Sequence, residues 1–152
     1  MAKKEVRILF DQDMVDRYTE YYFKKYPKRK TLKLRPTAIS LNQFTSMVRM
    51  VQAGEKTKYH EFALWVLEYN NVPKLKLTNC NLHMHFIWHD LRRRDADNYA
   101  MTNKVYADAF VEYGLLEDDS YKEIKSTLTT MEYIKGKHSS VEFIFEYDDE
   151  LN

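Results

Sequence analysis

The first 30 residues combine the alternation of a strand with the spacing of an amphipathic helix. Val6 to Phe10 is typical of a short strand. Asp13 can cap a helix that follows it. Apolar residues then recur at helical spacing, namely Met14, Val15, Tyr18, Tyr21 and Tyr22. Pro27 and a basic run end the pattern, which predicts a strand–helix unit followed by a basic, solvent-facing connector.

The next segment predicts one more strand and one long helix. After Pro36, Ile39 and Leu41 alternate with polar residues, so we expect a short strand over residues 37–44 that leads into a loop. Gly54 predicts an interruption of regular secondary structure between this strand and the next helix. From Thr57 onward one helix face is apolar, and it consists of Tyr59, Phe62, Ala63, Val66 and Tyr69. Asn70, Asn71 and Pro73 end this helix.

The second half of the chain predicts a strand, a helix and a hairpin. Apolar residues alternate with polar ones over residues 82–88, which is typical of a strand with one buried face. Residues 97–113 predict a helix, with Asp97 or Asn98 as its cap and Gly114 at its end. Its core-facing residues would be Met101, Val105, Ala109 and Phe110. Two further strands, over residues 120–134 and 141–147, flank Gly136 and predict a terminal β-hairpin. We therefore expect an α+β fold, a mixed β-sheet with helices packed on it.

Composition narrows the class of protein. The chain has 152 residues, 44% hydrophobic and 31% charged, as in an ordinary globular protein of one domain or one domain with a short extension. Three widely separated glycines exclude a glycine-rich phosphate loop and a dinucleotide-binding turn, so no nucleotide cofactor is expected. Cys80 is the single cysteine, which excludes an internal disulfide and suits a reducing compartment.

No targeting or membrane segment is evident. The apolar run Ile8 to Phe10 is too short for the core of a signal peptide, and the longest apolar run, Phe62 to Leu67, cannot cross a bilayer. We expect a cytoplasmic protein with no membrane partner.

Charge is unevenly distributed along the chain, although 24 Lys and Arg against 23 Asp and Glu leave a net charge of only +1. Seven basic residues and no acidic one lie between Lys24 and Arg35, and Arg92, Arg93 and Arg94 form a second basic cluster. Residues 146–150 are acidic. The pattern indicates a locally basic surface beside acidic patches.

Two pairs of aspartates are the strongest candidates for chemistry. Asp95 and Asp97 precede the predicted second helix, and Asp118 and Asp119 follow it. Clustered carboxylates without Cys or His suit Mg²⁺ or Mn²⁺, and the adjacent arginines could contact phosphate. The intervening helix of about 15 residues spans roughly 22 Å, so the pairs meet only if the chain folds back or a second subunit supplies one of them.

Two ordinary alternatives account for some of these residues. Acidic residues at helix ends commonly serve as caps, and acidic pairs in loops are commonly solvated. His83, His85 and His89 on one strand face suit a zinc site, but the polar side of a half-buried strand also explains them.

The order Arg-Arg-Arg-Asp95-Ala-Asp97-Asn98, then Lys104, Asp108, Gly114 and Asp118-Asp119, resembles the RusA family of Holliday-junction resolvases from phages and prophages. The resemblance covers about residues 36–147, and its motif lies within residues 92–120. It implies a RusA-like nuclease domain over residues 31–152, with residues 1–30 as an amino-terminal strand–helix extension.

The resemblance also implies an activity. Members of this family are homodimeric, Mg²⁺-dependent endonucleases that resolve four-way DNA junctions by paired symmetric cuts in recombination and repair. Asp95, Asp97 and Asp119 would hold the metal, with Asp118 as a further ligand, and residues 92–94 would bind DNA. Lys104 would contact the reacting phosphate. Met101 occupies the usual place of that lysine, so the resemblance implies a three-residue insertion before Lys104.

A second hypothesis from another class uses the same residues. The protein could be a branched-DNA-binding module without cleavage activity, in which the carboxylates hold no metal. All four acidic residues of the motif are present, which favours the enzyme.

Overall fold

A four-stranded mixed sheet organises the chain in a computed structural model, which describes residues 3–120 and 122–152. The strands are β1 (Lys4–Phe10), β2 (Cys80–Trp88), β3 (Ile124–Tyr133) and β4 (Ser140–Tyr147), in the order β1-β4-β2-β3. β4 runs antiparallel to both of its neighbours, and β2 runs parallel to β3. The predicted α+β class and mixed sheet are confirmed.

Within the described residues, four α-helices and two short 3₁₀ turns accompany the sheet. The helices are α1 (Gln12–Lys25), α2 (Leu41–Thr45), α3 (Arg49–Tyr69) and α4 (Ala100–Tyr113), and the turns span Ala96–Tyr99 and Asp149–Leu151. None of the helices in the described residues is long and apolar enough to cross a membrane.

Aromatic side chains join the inner face of the sheet to the helices. Phe10 at the end of β1 stacks on Tyr106 of α4, with 4.2 Å between ring centroids and an interplanar angle of 6°. Phe143 of β4 meets Phe110 of α4 edge-on at 5.1 Å. The alternation predicted for β2 is confirmed, since its inner residues Leu82, Met84, Phe86 and Trp88 are buried. The core therefore lies between the sheet and the α3–α4 pair.

The predicted terminal hairpin is wrong, although both of its strands form. β3 pairs in parallel with β2, and β4 lies on the other side of β2, between β2 and β1. Burial explains the difference. β4 buries Val141, Phe143, Ile144 and Phe145, which suits a central strand, whereas β3 is largely exposed and lies at an edge.

The strand predicted for residues 37–44 is also wrong, because a capping box starts α2 there. The Ser40 hydroxyl accepts a hydrogen bond from the Gln43 backbone N–H at 3.3 Å, and the Gln43 side chain returns to the Ser40 backbone N–H. The interruption of secondary structure predicted at Gly54 is wrong too, since this residue lies inside α3. The buried apolar face of α3 compensates for the low helix propensity of one glycine.

Helix ends agree in part with the predictions. Asp11, not Asp13, caps α1, and its Oδ1 accepts from the Met14 backbone N–H at 2.9 Å. Neither Asp97 nor Asn98 caps α4, because a 3₁₀ turn precedes that helix. Gly114 ends α4 with a left-handed φ of +102°, as predicted.

Strand β1 and helix α1 pack into the same core as the remainder of the described chain. β1 pairs with β4 from Lys4 opposite Tyr147 to Phe10 opposite Val141. Tyr18 of α1 lies 5.3 Å from Phe62 of α3, measured between ring centroids.

Candidate functional site

The chain that leaves β2 forms a turn fixed by one carboxylate. Asp90 Oδ1 accepts hydrogen bonds from the Arg92 backbone N–H at 3.2 Å and from Arg94 Nη1 at 2.7 Å. The hydrogen bond from Arg94 holds the pKa of Asp90 below its ordinary value. The acidic side chain of Asp90 therefore anchors the arginine cluster.

The three arginines have different surroundings. Arg94 is packed against the sheet, with its side chain only 8% exposed and its guanidinium carbon 4.1 Å from the centroid of the Trp88 ring. Arg92 and Arg93 are exposed. Arg94 is a fixed positive charge, and its two neighbours are free to meet solvent or a ligand.

Asp95 and Asp97 line one open cleft, which we call the acidic cleft. Its other lining residues include Asn42, Arg94 and Asn98. Both carboxylates are exposed, and the cleft has a volume of about 560 Å³. Asn98 Oδ1 accepts from the Asn42 backbone N–H at 3.0 Å, which ties the 3₁₀ turn to α2. The shared position of Asp95 and Asp97 in this cleft is consistent with the expectation that both carboxylates contribute to one site.

Asp118 and Asp119 lie in the loop after α4 and do not line the acidic cleft. The Asp119 backbone N–H donates to Asp118 Oδ1 at 2.8 Å. Partial burial raises the pKa of Asp119, and the carboxyls of Asp118 and Asp108 add to the increase because like charges disfavour ionisation. A cation near this loop would relieve that repulsion.

Across the described ranges 3–120 and 122–152, no three His, Cys, Asp or Glu side chains are close enough together to hold a metal ion. Mg²⁺, however, commonly binds one or two carboxylates and takes its remaining ligands from water and substrate phosphates. The Asp95–Asp97 pair fits that donor chemistry. The inclusion of Asp118 and Asp119 in the same metal site stays a prediction.

Lys104 is exposed on α4 and is not among the residues that line the acidic cleft. The lysine therefore lies after the 3₁₀ turn, in the first part of the helix. Its contact with a reacting phosphate stays a prediction.

A second cleft, named here the arginine cleft, was not predicted from the sequence. Its lining includes Arg35, Trp88, His89, Arg92, Arg94 and His138, and its volume is about 450 Å³. Arg94 borders both clefts. Arg35 ends the basic run that the sequence analysis assigned to a solvent-facing connector, and this run was the available indication of a binding surface.

The strand histidines make hydrogen bonds to β3. His83 Nε2 and His85 Nδ1 each lie 2.6 Å from Thr130 Oγ1, and His85 Nε2 lies 3.2 Å from Glu132. Partial burial, with His85 and Arg7 nearby, lowers the pKa of His83. His89 turns instead to Ser139, at 2.7 Å from Nδ1 to the hydroxyl. These contacts explain the polar face of β2 as part of the sheet.

Comparison of the chain with protein-family models finds no match, and comparison with curated protein sequences finds none either. The relation to the RusA family is therefore a hypothesis carried by the motif in residues 92–120.

Proposed function

We propose that this protein is a Mg²⁺-dependent, structure-specific endonuclease that cuts four-way DNA junctions. One observation carries the proposal: the acidic cleft with Asp95 and Asp97 adjoins the arginine cleft, and the two share Arg94. Arginines that bind a phosphodiester next to a pair of carboxylates suit metal-assisted phosphoryl transfer.

The fixed charges support binding of a backbone phosphate. Arg94 is held in place by Trp88 and Asp90 and fixes the turn from which Arg92 reaches solvent. Arg92 is exposed at the same turn, so its side chain can reach a phosphate of a DNA strand. A contact from Arg92 to the sugar-phosphate backbone favours recognition of DNA shape over base sequence.

The carboxylates would supply the chemistry beside that phosphate. When bound, Mg²⁺ lowers the pKa of a coordinated water and neutralises charge that develops on the phosphate. Asp95 and Asp97 would orient the ion through their exposed oxygens. Asp118 and Asp119 would join them if a second copy of the chain presented its loop, which is consistent with a homodimer acting on a junction of twofold symmetry.

A branched-DNA-binding module without cleavage is the second candidate. It is favoured by the lack of a three-residue metal-binding group in the residues that the structure describes. In this case the arginines alone would bind the junction.

A cleavage assay on a synthetic four-way junction distinguishes the two candidates. The wild type is expected to make paired cuts with Mg²⁺, and Asp97→Asn is expected to bind the junction at least as tightly while losing cleavage, because it removes repulsion of phosphate. Asp13→Asn is the matched control, because it removes a carboxylate that pairs with Arg17 on α1. Binding by the wild type without cutting in Mg²⁺ or Mn²⁺ would support the module, and loss of binding in Asp97→Asn would make that residue structural.

A further inference from the structure

The arginine cleft has the composition of an anion site. Its lining contains Arg35, Arg92 and Arg94 together with His89 and His138, and no Asp or Glu is among the residues that form it. Asp90, just outside this lining, pairs with Arg94 and with His89, so the guanidinium charges of the cleft that have no carboxylate partner in the described part of the chain are those of Arg35 and Arg92.

Two of the three guanidinium groups in this lining are available to a ligand. The Arg35 backbone N–H donates to Tyr59 Oη at 3.2 Å, and that of Arg92 donates to Asp90 at 3.2 Å. Within the described part of the chain, neither guanidinium forms a hydrogen bond or an ion pair with a carboxylate. Arginine presents a planar fork of donors, which matches two oxygens of one phosphate.

The wall behind these arginines contains an N–H group without an acceptor. Trp88 is 7% exposed, and its Nε1 has no hydrogen-bond partner among residues 3–120 and 122–152. A buried donor left unpaired costs about 1–3 kcal/mol, so native proteins seldom retain one without a reason. Arg94, itself only 8% exposed, lies over the same indole. Trp88 and Arg94 both line the arginine cleft.

The segment that carries Arg35 is held firmly in position. Tyr106 Oη donates to the Pro36 carbonyl at 2.8 Å, and Thr102 Oγ1 donates to the Thr37 carbonyl at 2.7 Å. Both donors are buried on α4. The cleft is thus anchored to the core on this side.

The opposite wall is joined to β2 by the loop between β3 and β4. The His89 backbone N–H donates to Ser139 Oγ at 3.2 Å, which places His138 beside the end of the strand. Three separate segments therefore converge on one cavity, and the fold holds each of them by hydrogen bonds.

We propose that the arginine cleft is a subsite for a phosphate group of a DNA strand, with Arg35 as a ligand that the sequence motif does not contain. The inference deepens the function proposed above and rests on it. Because Arg94 borders both clefts, a strand seated on Arg35 and Arg92 would continue towards Asp95 and Asp97. The chemistry recognised is a phosphate oxygen, which a free phosphate monoanion or dianion could also supply.

Binding of a short fluorescein-labelled single-stranded deoxyoligonucleotide, followed by anisotropy without metal, tests the subsite. Arg35→Gln should weaken binding about tenfold, the loss expected for one charged hydrogen-bonded contact. The slope of log affinity against log salt should fall by about 0.7 for one lost phosphate. Arg7→Gln is the matched control, because it removes the same charge from an exposed arginine of the edge strand β1.

Three comparisons distinguish a DNA phosphate at Arg35 from a free phosphate, from an effect of net charge and from loss of folding. Equal weakening by Arg35→Gln and Arg7→Gln would overturn the subsite, because the effect would then be one of net charge. Inorganic phosphate that binds the wild type but not Arg35→Gln, with oligonucleotide binding unchanged, would overturn the DNA assignment in favour of a free phosphate. Arg92→Gln, in an exposed position on another segment, repeats the test if thermal melting finds Arg35→Gln unfolded, and it should weaken binding similarly.

Failure of the subsite and failure of the nuclease give different results. A wild type that binds the oligonucleotide through Arg35 but never cuts a junction would retain the subsite and reject the nuclease. Junctions cut by Arg35→Gln as by the wild type, with unchanged oligonucleotide binding, would retain the nuclease and reject the subsite.

Discussion

The guanidinium carbon of Arg94 lies 4.1 Å from the centroid of the Trp88 ring, and its Nη1 donates to Asp90 at 2.7 Å. These contacts join the last residue of β2 to the turn that carries Asp95. The position of the acidic cleft therefore depends on the sheet, although Asp95 itself lies in a loop. A fixed arginine at this point links the stability of the fold to the geometry of the candidate site.

Arg94→Lys should lower the free energy of unfolding by about 1 kcal/mol, because an ammonium stacks less well on the indole and loses the planar fork. The side chain of Arg94 is 8% exposed, so solvent screens these contacts little. Urea denaturation followed by tryptophan fluorescence measures the change. Arg93→Lys is the control, because Arg93 is exposed. Equal stability of the two variants would contradict the structural role of Arg94.

Local patterns predicted the elements that one segment specifies by itself. Alternation alone identified β2, and the left-handed Gly114 was predicted as the end of α4. Strand partners were not predictable in this way, because β4 is central only when β1 pairs with one of its edges and β2 with the other, and both of these strands are distant from β4 in sequence. The capping box of Ser40 and Gln43 is a local signal that the alternation of Ile39 and Leu41 obscured.

The candidate site likewise contains residues that are close in sequence and residues that only the tertiary fold brings together. Asp95 and Asp97 are two residues apart, so their nearness follows from the sequence, whereas their position in one cleft depends on the bend of the turn between them. The arginine cleft brings Arg35 and His138 to Arg92, and these three residues come from segments that only the tertiary fold joins. Long-range convergence of this kind leaves no pattern in a single sequence.

Asp119→Asn should stabilise the protein at neutral pH and have little effect under acidic conditions. Partial burial and the neighbouring Asp118 raise the pKa of Asp119, so the folded state binds a proton more tightly than the unfolded state. Stability is therefore lost as pH rises from the ordinary pKa through the raised one, and the uncharged asparagine avoids that loss. Thermal melting of both proteins across this pH range measures the difference.

Asp90→Asn is the matched variant, and its expected effect on stability at neutral pH is opposite to that of Asp119→Asn. The hydrogen bond from Arg94 lowers the pKa of Asp90, so its charged form stabilises the fold above the ordinary pKa. The variant should be less stable than the wild type at neutral pH, and the difference should disappear as pH falls through the lowered pKa. A shift of the same sign in both variants would show that another group controls the pH dependence.

Phe10→Ala should lower the free energy of unfolding by about 3–5 kcal/mol, the usual loss for a buried phenylalanine. Phe10 is 0% exposed and stacks on Tyr106 of α4. Leu9→Ala is the control from the adjacent position, since Leu9 is 41% exposed on the other face of β1. Urea midpoints would compare them. Similar midpoints for both variants would indicate that the amino-terminal 30 residues fold apart from the core.

Two glycine substitutions should change stability in opposite directions. Gly54→Ala should stabilise α3 by about 0.5–1 kcal/mol, because alanine has the higher helix propensity and, apart from the adjacent backbone of α3 itself, no atom of the described residues lies within 4 Å of the added Cβ. Gly114→Ala should destabilise by about 1–2 kcal/mol, because φ at Gly114 is +102° and the left-handed region disfavours a side chain. The added Cβ would lie 3.6 Å from Lys74 Cβ, an ordinary contact, so the penalty would come from the backbone. Denaturant titration of both variants tests the pair, and a stable Gly114→Ala protein would mean that the end of α4 can adopt another conformation.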